Sequence, residues 1–160
     1  MLLLNQYSFL LLAGACVLAM GLVLRRRGLH GYEIFALASL VVGFALAFWL
    51  LRPGPSSASD AGQLAAEIGS GTPVLIEYQS PFCVGCMAAE PYVRAIERQN
   101  QASLVIIRVN AQDPVGQVFA GRYRLGYTPT FVLFDAAGIE LWRTVGAVDP
   151  QQVRRSLATP

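Results

Sequence analysis

Cys83 and Cys86 are separated only by Val84 and Gly85, the spacing of a dithiol able to exchange with a disulfide. If a helix begins at Cys83, its free N–H groups and macrodipole stabilise the Cys83 thiolate, and Cys86 lies one turn further on. The first sulfur then attacks a foreign disulfide, and the second resolves the mixed disulfide to leave an internal Cys83–Cys86 disulfide. The resolving step needs a base. Glu77, on an otherwise apolar run just before the cysteines, is the candidate, because burial raises a carboxyl toward the working range. Half of a zinc site is a competing reading of the spacing, but zinc takes four ligands, and no further Cys and no His follows residue 53. A purely structural disulfide generally closes a longer loop than this one. The dithiol therefore calls for neither metal nor cofactor. Cys16 lies within a long apolar run and reads as a small apolar side chain rather than a redox group.

The elements that must position these groups follow from the pattern around them. Residues 74–78 read as a buried strand carrying Glu77, and a helix runs over 83–100 with a kink at Pro91. Residues 104–109 are β-branched and apolar, a second central strand, followed by a helix over 115–123. Residues 130–134 and 140–145 form a hairpin around Asp135-Ala-Ala-Gly138, and a helix starts near Pro150 with Val153 and Leu157 on one face. Ahead of the first strand, Asp60 or Ser59 caps a short helix that ends by Ile68, before the glycines at 69 and 71. The order is helix, strand, helix, strand, helix, strand, strand, helix.

The rest of the chain is of another kind. Of 160 residues, 54% are hydrophobic and 14% charged, and the mean hydropathy of +0.48 exceeds that of an ordinary soluble domain. The excess lies in the first third, where residues 7–24 and 32–51 are each apolar and long enough to span a bilayer. A cleaved signal peptide would carry its basic residues ahead of the apolar run, whereas Arg25, Arg26 and Arg27 follow it. These arginines place the connecting loop in the cytoplasm and both ends of the hairpin, with everything after Arg52, outside it. The expected organisation is a membrane anchor over 1–52, a Pro/Gly/Ser linker over 53–59 and one domain over 60–160. The arginines of the anchor account for the pI of 8.6. The distal part carries eight Arg against nine Asp and Glu, so no basic face for nucleic acid is indicated. Lipid is the expected partner of the first 52 residues.

Taken together, Glu77, Phe82-Cys-Val-Gly-Cys86, Pro91, Tyr127-Thr-Pro-Thr130 and Val145-Gly-Ala147 occur in an order and at separations that resemble thioredoxin, over about residues 60–157. The resemblance implies an α/β thioredoxin-like fold, a mixed sheet of four to five strands flanked by helices, behind the transmembrane helical hairpin. It implies that Pro129 is cis and abuts the cysteines, that Thr128 offers its backbone to a bound substrate chain, and that Gly146 completes the groove. Phe82 stands where the family usually has Trp, Glu77 where it usually has Asp, and Arg108 where it often has Lys. Arg108, always charged, is placed to pair with Glu77. Residues 54–58 lack a strand pattern, so the family's first strand is expected to be missing or replaced by linker. The Val84-Gly85 pair lacks the His of strong oxidases, which favours a reductant.

The chain is most similar to membrane-tethered thioredoxin-like proteins of the bacterial exterior and the photosynthetic lumen, which reduce disulfides, often for cytochrome assembly. The resulting expectation is a protein thiol-disulfide oxidoreductase that reduces extracytoplasmic protein disulfides through Cys83 and Cys86. A transmembrane thiol electron donor is implied, since two helices with one Cys cannot relay the electrons. The alternatives are an oxidase or isomerase, and a non-enzymatic thioredoxin-fold module that holds an assembly partner.

Overall fold

The structure is a computed structural model that describes residues 2–27, 31–57 and 60–158. Its elements in chain order are α1 (Leu2–Gln6), α2 (Ser8–Arg27), α3 (Gly31–Leu51), α4 (Ala61–Glu67), β1 (Val74–Gln79), α5 (Val84–Asn100), β2 (Val105–Asn110), α6 (Pro114–Tyr123), β3 (Thr130–Phe134), β4 (Glu140–Val145) and α7 (Pro150–Ala158). Among the described residues two helices, α2 and α3, are long and apolar enough to cross a membrane by length and composition. The tip of the loop between them, residues 28–30, and linker residues 58 and 59 lie outside the described residues.

The sheet has the order β2-β1-β3-β4. β1 and β2 run parallel, while β1 with β3 and β3 with β4 are antiparallel. Strand alternation divides the apolar residues into two layers. Val74, Ile76 and Tyr78 of β1 pack with Ile107, Val109, Val132 and Phe134 under α4 and α6. Leu75, Phe131 and Leu133 pack on the opposite face against Val93 and Ile96 of α5 and Val153 of α7. Glu77 has the parity of Leu75, so it faces α5, the helix that carries Cys86.

Several local features follow from single residues. Asp60 caps α4 by accepting a 2.7 Å hydrogen bond from Gln63 N–H, so the cap is Asp60; Ser59 lies outside the described residues. Pro114 occupies the first turn of α6, where a missing N–H costs nothing. Among the described residues no strand precedes β1, and the sheet has four strands. Instead the linker runs along β2, with Ser57 N–H donating to Arg108 O at 2.9 Å and Arg108 N–H donating to Ser57 Oγ at 2.8 Å. These bonds cover part of an otherwise open sheet edge.

Gly116, in α6, packs directly on the end of β2, and a Cβ there would run into the Asn110 carbonyl. Backbone, not a flexible side chain, would have to move. Gly116→Ala is therefore expected to destabilise the fold by about 2–4 kcal/mol, despite the higher helix propensity of Ala. A denaturant titration of the full chain in detergent checks this, and an unchanged midpoint would contradict the packing of α6 on β2.

Candidate active site

Cys83 is the N-cap of α5 rather than its first residue, with extended backbone (φ −95°, ψ 120°). From there its Sγ accepts a hydrogen bond from Cys86 N–H at 3.3 Å, which is the cap bond a serine or aspartate would otherwise accept. The N-cap position thus puts the sulfur at the positive end of a 17-residue helix. Hydrogen bonding from the Cys86 thiol, joined by Thr128 and by the N–H groups of Cys86 and Gly85, lowers the Cys83 thiol to about 6 against the opposing effect of burial. Cys86 is fully buried, and burial, followed by the neighbouring Cys83, pushes its thiol up. Ser80 N–H donates to Cys86 Sγ at 3.5 Å. Both thiols are free in this structure. At neutral pH the arrangement is a thiolate on Cys83 beside a protonated Cys86, which is the charge state an attacking and a resolving sulfur require.

Glu77 is 0% exposed. Burial raises its carboxyl to about 7, with Arg108 pulling in the opposite direction and Glu90 and Glu97 adding to the rise. Arg108 does approach it, with Nε 3.4 Å from Oε2, but neither carboxylate oxygen accepts an aligned hydrogen bond. The guanidinium is shared with Glu97 at 3.1 Å and Glu90 at 3.8 Å, so its charge is divided among three carboxylates. Desolvation consequently outweighs the ion pair, and Glu77 titrates where a base for a thiol must. No direct hydrogen bond joins Glu77 to Cys86.

The Thr128–Pro129 peptide bond is cis, and Thr128 O lies 3.3 Å from Cys83 Sγ. Gly85 lets the proline approach, since a Cβ there would stand 3.2 Å from Pro129 Cδ. Gly146 has φ +90°, a conformation that favours glycine, and its N–H donates to Pro129 O at 2.9 Å. Gly85, Gly146, Ala147 and Tyr92 line a groove of about 480 Å³ beside the dithiol. Phe82 precedes the cysteines and lies between two rings, Tyr7 and Phe48, each with centroids 5.7 Å away and nearly parallel.

Five of the residues around the site were not visible as such in the sequence: Asn5, Gln6, Tyr7, Ser8 and Phe48. Asn5 Nδ2 donates to Thr128 O at 2.9 Å, and Asn5 Oδ1 accepts from Thr128 N–H at 2.8 Å and from its hydroxyl at 3.0 Å. Ser80 Oγ donates to Gln6 O, and Ser8 Oγ accepts from Val84 N–H, the first N–H of α5. Phe9 N–H donates to Phe82 O at 2.9 Å. The short helix α1, which the apolar pattern did not distinguish from the long helix after it, thus rests on the cysteine loop. Cys83 beside this loop is 1% exposed.

Comparison with known proteins places this geometry. A family model described as a thioredoxin-like domain matches residues 62–159. Thioredoxin of Porphyra purpurea is 26% identical over 102 residues, covering 64% of this chain and 92% of that protein. A thiol:disulfide interchange protein TxlA homolog of Synechocystis is 25% identical over 91 residues, covering 57% of this chain and 51% of that protein. Among solved structures, thioredoxin O2 of Arabidopsis thaliana in its oxidized state superposes with a TM-score of 0.51 at 13% identity, over 62% of this chain and 88% of that one. The last likeness is one of fold. Since the family model takes in the whole sheet and more than half of the chain, the chain belongs to the thioredoxin-like family and is a thiol-disulfide oxidoreductase.

Proposed function

We propose that this chain is a membrane-tethered reductant of extracytoplasmic protein disulfides, working through Cys83 and Cys86. The observation that carries the reading is the split between the two sulfurs: Cys83 held as thiolate at the helix cap, Cys86 buried and protonated. Cys83 S⁻ attacks one sulfur of the substrate disulfide, forming a mixed disulfide and releasing the other substrate sulfur as thiolate. Cys86 then gives its proton to the Glu77 carboxylate, by way of water, and attacks Cys83 Sγ. The second substrate sulfur leaves, two electrons have passed to the substrate, and the Cys83–Cys86 disulfide remains. Phe82, Thr128, Pro129 and Gly146 hold the substrate chain beside Cys83. A transmembrane thiol donor restores the dithiol.

The reductant direction is supported by the dipeptide between the cysteines: Val84-Gly85 lacks a histidine, whose charge would further stabilise the Cys83 thiolate and favour an oxidant.

Support for the tether comes from α2 and α3. Leu11, Leu18, Val42 and Leu46 are exposed on them, which water would penalise and acyl chains would not. Arg25, Arg26 and Arg27 at one end of α2 favour a cytoplasmic loop. A hairpin returns both of its ends to the same side, in accord with the contacts of Asn5 with Thr128. Assembly of cytochromes or other membrane complexes, where cysteines must be kept reduced outside the cytoplasm, is the process such an enzyme serves. Placement is tested by Ala137→Cys, in the exposed turn between β3 and β4, in a chain lacking the other cysteines. A membrane-impermeant maleimide is expected to label it in intact cells; labelling only after permeabilisation would contradict the placement.

A further inference from the structure

An unpaired backbone N–H and C=O beside a nucleophilic sulfur form a docking point for an extended chain, which pairs with them as a strand would. Thr128 presents such a pair next to Cys83, and in this structure the pair is taken. The Asn5 side chain carries the same donor and acceptor as a peptide group. It engages both backbone groups of Thr128, at 2.9 and 2.8 Å, and accepts from the hydroxyl as well. The segment is fixed on either side of this contact by Ser80 Oγ donating to Gln6 O, Val84 N–H donating to Ser8 Oγ, and Tyr7 stacked on Phe82. Cys83, whose Sγ lies 3.3 Å from Thr128 O, is 1% exposed.

We propose that Asn5 is a specificity-determining residue of the site: its amide occupies the place of a substrate peptide group on Thr128, and a disulfide reaches Cys83 only as part of a chain that displaces it. The inference rests on the reading of Cys83 as the attacking thiol. It differs from a purely structural role in what it does to binding. A closed state that excludes substrate raises the apparent KM by the ratio of closed to open chain and leaves kcat unaltered. It favours substrates able to offer backbone hydrogen bonds to Thr128 over small disulfides that cannot.

The test uses the full chain in lipid nanodiscs, reduced, as wild type, Asn5→Ala and Asn5→Asp. Alkylation of Cys83 by iodoacetamide is followed at pH 8.5, above its value of about 6, so that thiolate fraction is equal in all three. Steady-state reduction of insulin, with dithiothreitol present to restore the Cys83–Cys86 dithiol after each turnover and its own reduction of insulin subtracted, gives KM and kcat. Loss of three modest hydrogen bonds is expected to speed alkylation about tenfold in Asn5→Ala and to lower KM by a similar factor, with kcat within about twofold of wild type. Asn5→Asp keeps the acceptor for Thr128 N–H but loses the donor to Thr128 O, and should fall between. Wild-type alkylation rate and KM in both variants would overturn the proposal, and so would a raised KM. If Asn5→Ala also exposes Cys86 to alkylation it has unfolded, and Asn5→Asp decides. Should insulin be reduced by none of the three, the reductant reading fails, while the alkylation rates still decide the role of Asn5.

Discussion

Replacement of Cys83 by serine is expected to abolish disulfide reduction, by about 10⁴-fold or more, the scale on which an enzyme loses its nucleophile. Serine retains the cap bond to Cys86 N–H, so the fold and groove should survive while the reaction does not. Cys86→Ser should behave differently. Cys83 still attacks, nothing resolves the product, and a mixed disulfide with substrate accumulates, visible as a thiol-sensitive band on a non-reducing gel. The rate of the first step should rise with pH to a plateau in that variant, and in the wild type the midpoint is expected at about 6, where Cys83 is to lose its proton. Full cellular function of Cys83→Ser would leave a binding module in place of the enzyme.

The second large effect belongs to Glu77 and has opposite signs for stability and for turnover. An unfolded glutamate titrates near 4.5, whereas buried Glu77 titrates at about 7, so between those values the folded chain binds the extra proton. Stability from this group is therefore complete below pH 4.5, falls as pH rises toward 7, and is level above it. At about 1.4 kcal/mol per unit, wild type has lost roughly 3 kcal/mol by pH 8 that Glu77→Gln, which cannot ionise, keeps. Arg108 retains Glu90 and Glu97 in the variant. Denaturant titrations should give matching stabilities at pH 4 and a more stable Glu77→Gln at pH 8. If Glu77 accepts the Cys86 proton as proposed, the same substitution should slow resolution about 100-fold and remove its rise near pH 7. A stabilised variant with unslowed resolution would assign Glu77 to the core alone.

What the sequence made legible was whatever local pattern or spacing encodes. The apolar run at residues 74–78, the cysteine spacing and the placing of Pro129 after Thr128 each lie within a few residues, and the strands and the cysteine-bearing helix fall within one or two residues of expectation. The ion pair of Arg108 with Glu77 was expected, and the register sets the two residues opposite each other across β1 and β2; between four and five strands the sequence left the choice open. The winner between attraction and desolvation was not legible, because it depends on how Arg108 is shared with Glu90 and Glu97. Nor was the strap. Asn5 meets Thr128 across 123 positions, and a single Asn beside an apolar run carries no periodicity that would announce the contact. Gly85 was read only for the histidine that its pair with Val84 lacks, and its close approach to Pro129 is set by the fold rather than by any local pattern.

The measurement that bears most directly on the central claim is the reduction potential of the Cys83–Cys86 pair, taken on the full chain in nanodiscs equilibrated with thiol buffers of known poise. A helix-capped thiolate tuned without a histidine predicts a value below about −230 mV, in the range of thioredoxin. A value above roughly −180 mV would make the enzyme an oxidase or isomerase and contradict the account.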